Sequence, residues 1–150
     1  MGTFGVEAFA NDDALDWLLE LDPAAGVRPV LAALERAAGA ADPHLDAHTA
    51  SVALAAAELL AALRGRPHPA LPELAADWVA NVTLASPTGS APGAEELALA
   101  TRALDLVVTS SALAEIWSQQ DDQARWQGAL DDLRMRLAAA GGVAPAEPDS

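Results

Sequence analysis

The segment from Ala47 to Leu63 constrains the fold more than any other part of this chain. It consists mostly of Ala and Leu, and Glu58 is its only charge when histidine is taken as neutral. Its apolar residues recur at the spacing of an α-helix and form one face, which comprises Val52, Ala56, Leu59, Leu60 and Leu63. Further Ala residues and Leu54 surround the rest, so neighbouring helices can approach on more than one side. We therefore expect this helix to be the centre of the fold.

The overall composition indicates an all-α domain. Hydrophobic residues make up 52% of the chain and Ala supplies about half of them, while aromatic residues make up only 4%. Ala is the best helix former, whereas strands favour β-branched and aromatic residues. The 150 residues suffice for one domain with its own core. We predict a single compact bundle of about six helices around the central Ala-rich helix over residues 1–140, with an extended N-terminal arm, and a flexible C-terminal tail over residues 141–150.

Helical periodicity and capping residues predict where these helices lie. The predicted ranges are 11–21, 29–38, 47–63, 72–82, 94–108, a short helix at 110–117 and a last helix that ends at Gly141. The apolar positions of the first helix are Ala14, Leu15, Leu18 and Leu19. Those of the fourth helix include Leu74, Trp78 and Val82, and those of the last helix are Trp126, Leu130, Leu133 and Leu137. We expect these positions to face the core.

The net charge of −14 is the strongest global property of the sequence. Nucleic-acid binding is unfavourable for such a chain, because phosphate contacts require basic side chains. Binding to anionic membranes is unfavourable for the same reason. The positive corollary is a basic protein partner, since complementary fields raise association rates. The alternative is that the acidity only confers solubility.

The sequence also bears on the compartment. It contains no apolar run of the roughly 18–20 residues that a membrane span requires. The N-terminus lacks the basic region of a secretory signal and carries Glu7, Asp12 and Asp13 early. The absence of Cys agrees with a reducing environment. We predict a cytoplasmic protein.

Acidic residues cluster at the start of the first predicted helix. Asp12, Asp16 and Glu20 are each four residues apart and can share one helix face, next to Asn11 and Asp13. They could bind Mg²⁺ or Ca²⁺, or present an acidic surface to a partner. The structural interpretation is that Asn or Asp caps the helix and that the acids complement its dipole. We favour the structural interpretation over metal binding, because no second cluster supplies ligands from another element.

A second candidate for metal binding is the segment Asp42-Pro43-His44-Leu45-Asp46-Ala47-His48. His44, Asp46 and His48 would share one side of an extended loop, and on a helix the two histidines would share a face, as zinc ligands do. The glutamate of the His-Glu-x-x-His hydrolase motif is missing, and a third ligand on a helix would have to come from elsewhere. Zinc binding is therefore the less favoured interpretation.

Glu58 interrupts the apolar central helix. On a helical wheel it lies opposite the face formed by Val52 and Leu59, so the simplest interpretation is a solvated carboxylate. If both sides of the helix are packed, it needs an Arg partner, such as Arg64 or Arg102. It would then be a candidate acid–base group.

The N-terminal residues form a pattern that composition does not explain. It reads Gly2-Thr3-Phe4-Gly5, then Phe9, then Asn11-Asp12-Asp13-Ala14-Leu15-Asp16-Trp17. This pattern resembles the opening of a family of small bacterial proteins catalogued as domain of unknown function 4259. The Ala-rich segment 55–65 and the closing segments 113–117 and 126–137 are similar to the same family. The resemblance therefore covers nearly the whole chain.

Two positions depart from the family pattern. Phe4 stands where many members carry Trp, and Ala112 stands where an acid is expected after Ser. The family has no established activity, so the resemblance implies no substrate or cofactor. The N-terminal motif is either a recognition surface or a structural plug. We favour the plug, because Phe4, Phe9 and Trp17 are large and apolar.

Motifs for catalysis are missing from the sequence. It has no Cys, no Gly-x-Ser-x-Gly, no phosphate-binding loop and no dinucleotide fingerprint. We therefore predict a non-catalytic interaction protein without a cofactor, for example of antitoxin or immunity type. One alternative is a small metal-dependent hydrolase that uses the histidine segment or the acidic helix face. Another is a structural module that self-associates through its Ala-rich helix.

Overall fold

Six α-helices make up most of the described part of the chain. The structure is a computed structural model, and it describes residues 12–22, 25–39, 47–64, 73–85, 94–109, 115 and 123–141. The helices are α1 (Asp12–Glu20), α2 (Arg28–Ala38), α3 (Ala47–Leu63), α4 (Glu73–Ala85), α5 (Ala94–Thr109) and α6 (Gln123–Gly141). No strand occurs among the described residues. The prediction of an all-α bundle is confirmed.

The helix α3 is the centre of this bundle. It packs against each of the other five helices. Every side chain from Ala50 to Ala62 is buried, so the helix is enclosed on all sides. Ala side chains make this possible, because they let neighbouring helices come close and lose no rotamer entropy on burial. The predicted boundaries and central position of this helix are confirmed.

Three of the surrounding helices each contribute one apolar stripe to the core. The stripe of α6 is the predicted one, and it consists of Trp126, Leu130, Leu133 and Leu137. The stripe of α5 consists of Leu97, Ala100, Leu104 and Val107, and that of α2 consists of Val30, Ala33, Leu34 and Ala37. Before α2, Gly26 adopts a positive φ of 66°, which other residues rarely tolerate.

The predicted apolar faces of α1 and α4 are partly wrong. In α1, Ala14 and Leu18 are buried, but Leu15 and Leu19 are exposed. In α4, Trp78 and Val82 are buried, whereas Leu74 is exposed. Residues Leu15 and Leu19 each follow a buried residue and are rotated by about 100° from it around the helix. The core side of α1 is completed instead by the half-buried Trp17 and by Leu21, which directly follows the helix.

Several sequence predictions concern residues outside the described ranges. These are the N-terminal arm, most of the short helix at 110–117, of which only the helical residue Glu115 is described, and the C-terminal tail after Gly141. The division into residues 1–140 and 141–150 therefore stays a prediction. None of the helices formed by the described residues is long and apolar enough to cross a membrane.

We predict that a larger side chain in the middle of α3 destabilises the bundle. Ala57 is fully buried, so Ala57→Leu should lower the free energy of unfolding by about 1–3 kcal/mol through overpacking. The control is Ala98→Leu on the exposed side of α5, which should change it by no more than about 0.5 kcal/mol. Urea unfolding followed by Trp fluorescence measures both values. Equal stability of the two variants would show that α3 is not tightly enclosed.

Candidate functional site

A buried ion pair joins α3 to α6. The Arg136 side chain donates two parallel hydrogen bonds to the carboxylate of Glu58, from Nη1 to Oε1 over 2.8 Å and from Nη2 to Oε2 over 2.9 Å. Its Nε also donates to Oδ2 of Asp132, one helical turn earlier, over 2.8 Å. Glu58 itself is only 4% exposed. This is the planar two-pronged geometry that makes Arg–carboxylate pairs strong.

The ion pair corrects the interpretation of Glu58 as a solvated carboxylate. The alternative, that a packed helix would give it an Arg partner, is right in kind, but the partner is Arg136 rather than Arg64 or Arg102. The two residues are 78 positions apart, so no local pattern could identify the partner. The sequence signal that remains is the charge itself, alone within an apolar helix.

The pair holds its charges in place and does not expose them for chemistry. Hydrogen bonding to Glu58 raises the pKa of Arg136 above its ordinary value, against the opposing effect of burial, and Asp132 adds to the rise. Both carboxylate oxygens of Glu58 are engaged by the guanidinium, so neither is presented to a substrate. We therefore assign the pair a structural role.

Ser51 lies two helical turns before Glu58 on the same side of α3. Its Oγ is buried and has no hydrogen-bond partner among the described residues. A serine is activated as a nucleophile by a base within hydrogen-bond reach. The structure shows no such base at Ser51 within the described ranges, so this hydroxyl does not indicate catalysis.

A cleft of about 270 Å³ lies between α2 and α5. Its lining consists of Leu31, Glu35, Glu95, Glu96, Leu99 and Arg102. Glu95 and Glu96 occupy the first turn of α5, where their charges complement the helix dipole. Within the described ranges, no three His, Cys, Asp or Glu residues are grouped so that they could hold a metal ion. The cleft is thus an acidic surface without the geometry of a metal site.

A smaller groove lies between α1 and α4, and we call it the α1/α4 groove. It has a volume of about 160 Å³ and is lined by Leu18, Leu19, Leu21, Leu74, Asp77, Trp78 and Asn81. Leu19 is 67% exposed and Leu74 is 43% exposed, although both are large and apolar. The indole Nε1 of Trp78 is buried and has no hydrogen-bond partner among the described residues. The groove therefore combines mostly apolar walls, in which Asp77 and Asn81 are the polar members, with a buried donor.

The charges on the two helices that form this groove have one sign. The helix α1 carries four acidic residues and α4 carries two, and neither helix contains a basic residue. Asp16 and Glu20 are exposed on α1, and Asp77 is exposed on α4. The predicted acidic surface of the first helix is therefore present at Asp16 and Glu20, while the side chains of Asp12 and Asp13 lie outside the described part.

Sequence reasoning missed the groove because it assigned Leu19 and Leu74 to the core. A signal was present in α1, where apolar residues occupy adjacent positions 14, 15, 18 and 19. Such a face is wider than the single stripe that packs against one neighbour. In α1, an apolar face that is wider than one stripe therefore indicates that some of its apolar residues face outward.

The other predicted site residues are distributed as follows. His48 is exposed in the first turn of α3, whereas His44 and Asp46 lie outside the described residues, so the zinc hypothesis stays a prediction. Of the N-terminal motif, Trp17 packs against the core. The remaining members, Gly2, Phe4, Gly5, Phe9 and Asn11, lie outside the described ranges. The choice between plug and recognition surface thus stays open for them.

Comparison with known proteins identifies the family of this chain. The family model described as "Domain of unknown function (DUF4259)" matches residues 2–129, so the chain belongs to this family. The family assignment made from the sequence is thereby confirmed. No curated protein and no solved structure matches the chain.

We predict that breaking the buried ion pair destabilises the fold far more than breaking an exposed pair on the same helix. Arg136→Met leaves the Glu58 carboxylate buried without its partner and should lower the free energy of unfolding by about 3 kcal/mol. The control is Arg134→Met. Arg134 on α6 pairs with Asp105 on α5, and both side chains of this pair are more exposed than those of Arg136 and Glu58. That change should cost about 1 kcal/mol or less. Urea unfolding measures both variants.

The double variant Glu58→Leu/Arg136→Leu distinguishes the loss of the ion pair itself from the cost of leaving the Glu58 carboxylate buried without a partner. Apolar replacement of both partners removes the unpaired charge, so most of the stability lost in Arg136→Met should return. If Arg136→Met and Arg134→Met were equally stable, the ion pair would not have the structural role assigned here.

Proposed function

We propose that this chain is a non-catalytic protein-interaction module that binds a basic protein partner. The observation that carries this proposal is the surface formed by α1 and α4. These two helices carry six acidic residues and no basic one, and the exposed acids Asp16, Glu20 and Asp77 lie on the same helices as the exposed Leu19 and Leu74. An exposed apolar patch within a charged rim is typical of a protein-binding surface.

The charge of the surface selects the class of partner. Its acidic field attracts basic proteins and raises their association rate, while nucleic acids and anionic membranes are repelled. An antitoxin or immunity-type protein that neutralises a basic toxin in the cytoplasm is one concrete form of this function. Membership in the family adds no activity of its own to the argument.

The site chemistry supports a non-catalytic role. Glu58 is the one acidic side chain buried among the described residues, and its two oxygens are held by Arg136. The metal-dependent hydrolase remains an untested alternative, because His44 and Asp46 lie outside the described part. Self-association through the Ala-rich helix is disfavoured, because the neighbouring helices already enclose α3 from Ala50 to Ala62.

We predict that the affinity-tagged protein captures a stoichiometric basic protein from its native host at low ionic strength. High salt should release this protein, since it screens the attraction between exposed charges. Mass spectrometry of the eluate identifies it. Binding that is unchanged between low and high salt, or no captured protein at low salt, would contradict the proposal.

A matched pair of charge variants tests which surface carries the attraction. The triple variant Asp16→Asn, Glu20→Gln, Asp77→Asn neutralises the α1/α4 surface. The control variant Glu35→Gln, Glu95→Gln, Asp131→Asn removes the same number of exposed charges from α2, α5 and α6. We expect the first variant to lose the captured protein and the second to retain it. Equal capture by both would place the attraction elsewhere on the protein.

A further inference from the structure

We propose that the α1/α4 groove receives an apolar side chain from a basic amphipathic helix of the partner. This inference deepens the proposed function and rests on it. It assigns the specificity of binding to the apolar groove and the speed of binding to its acidic rim. Four observations carry it: the size of the groove, the exposure of its leucines, the state of Trp78 and the sign of the surrounding charge.

The groove has the size of a site for one side chain. A cavity of roughly 150 Å³ that is lined by apolar residues accepts a benzene-sized group. The α1/α4 groove, at about 160 Å³, can therefore hold one Leu, Met or Phe side chain. An anchor of this size in a central pocket is the usual source of binding energy at a protein interface.

The two exposed leucines are placed to close over such an anchor. Leu19 belongs to α1 and Leu74 to α4, so they approach the groove from its two opposite walls. Their exposure of 67% and 43% leaves apolar area that a partner can remove from water. Two other large apolar residues are exposed in the described part of the chain, Leu15 on α1 (36%) and Met135 on α6 (70%), and neither lines either of the two cavities described above.

Trp78 gives the groove wall a residue type that is enriched at binding hot spots. It lines the groove and is buried against the core, and its Nε1 has no acceptor within the described ranges. Buried polar groups are almost always paired in folded proteins, so an unpaired one requires an explanation. An anchor that enters beside the indole can change the environment of this N–H group. Trp78 is thus a built-in reporter of occupancy.

The sign of the rim determines the rest of the occupant. Asp16, Glu20 and Asp77 are exposed, and α1 and α4 provide no basic residue to pair with them. The partner segment must therefore carry Lys or Arg beside its apolar anchor. A second copy of this chain would bring the same acidic surface against itself, which is unfavourable in a symmetric interface.

The shape of the surface favours a helical occupant. A groove between two helices accepts an amphipathic helix whose anchors recur every third or fourth residue. Addition of an extended strand requires the free edge of a sheet, and the described residues contain no strand. A basic amphipathic helix therefore satisfies the size, the polarity and the geometry of the groove together.

The test measures binding of a synthetic peptide to the full-length protein. The probe is a basic amphipathic helix of about four turns, with Leu on one face and Lys and Arg elsewhere. A control peptide keeps every charge and replaces each Leu with Ser. The protein variants are Leu19→Ser/Leu74→Ser and, as the matched control, Met135→Ser on α6. All these residues are exposed, so the substitutions leave the core intact.

We expect the double variant to bind the probe at least about tenfold more weakly, because the loss of even one contact that contributes strongly to binding costs about a factor of ten. Met135→Ser should bind like the unchanged protein, and the control peptide should bind weakly to all three. In the unchanged protein labelled with ¹⁵N-Trp, the indole N–H signal that is absent in Trp78→Phe should shift when the probe is added.

Each alternative result overturns the proposal in a distinct way. Equal binding of both peptides, or equal binding by all variants, would leave an acidic interaction surface and eliminate the groove. No binding of the probe at low salt would eliminate both the groove and the attraction for basic segments. A dimeric mass in light scattering that becomes monomeric in Leu19→Ser/Leu74→Ser would identify a second copy as the occupant instead.

Discussion

Complete enclosure of α3 is the constraint on which the rest of the structure depends. A helix packed on every side cannot hide a charge from the core by turning it outward, so Glu58 is buried. Burial of a lone carboxylate is costly, and Arg136 on α6 compensates it through two hydrogen bonds. The pair also fixes how α6 lies along α3, since a shift of one helical turn would separate the two groups by about 5.4 Å.

The same enclosure explains which features could be predicted from the sequence. The long Ala- and Leu-rich run located α3, and periodicity located the apolar stripe of α6, because that stripe reflects burial of one face of the helix. It failed at Glu58, where the missing information was the number of neighbours around α3. It failed at Leu19 and Leu74 for the opposite reason, because it assumed that each apolar position has a neighbour. The number of helices around a residue is set by the assembled bundle, and the local spacing of apolar residues does not reveal it.

The candidate site follows from this failure. Of the three residues that periodicity placed wrongly in the core, Leu19 and Leu74 line the α1/α4 groove, whereas Leu15 does not. At these positions, helical periodicity predicts a buried side chain, but the assembled bundle leaves the side chain exposed. Such disagreements concentrate at functional sites, because function requires surfaces that folding alone would not select.

The distribution of charge leads to the same surface by an independent route. Arg residues occur on α2, α5 and α6, and two of those on α6 pair with acids, Arg134 with Asp105 and Arg136 with Glu58 and Asp132. The helices α1 and α4 together carry six acids and no basic residue, so the mutual repulsion of these acids opposes folding. A basic partner removes that repulsion on binding, whereas solubility alone needs no such segregation. The uncompensated helices are therefore the ones that gain most from association.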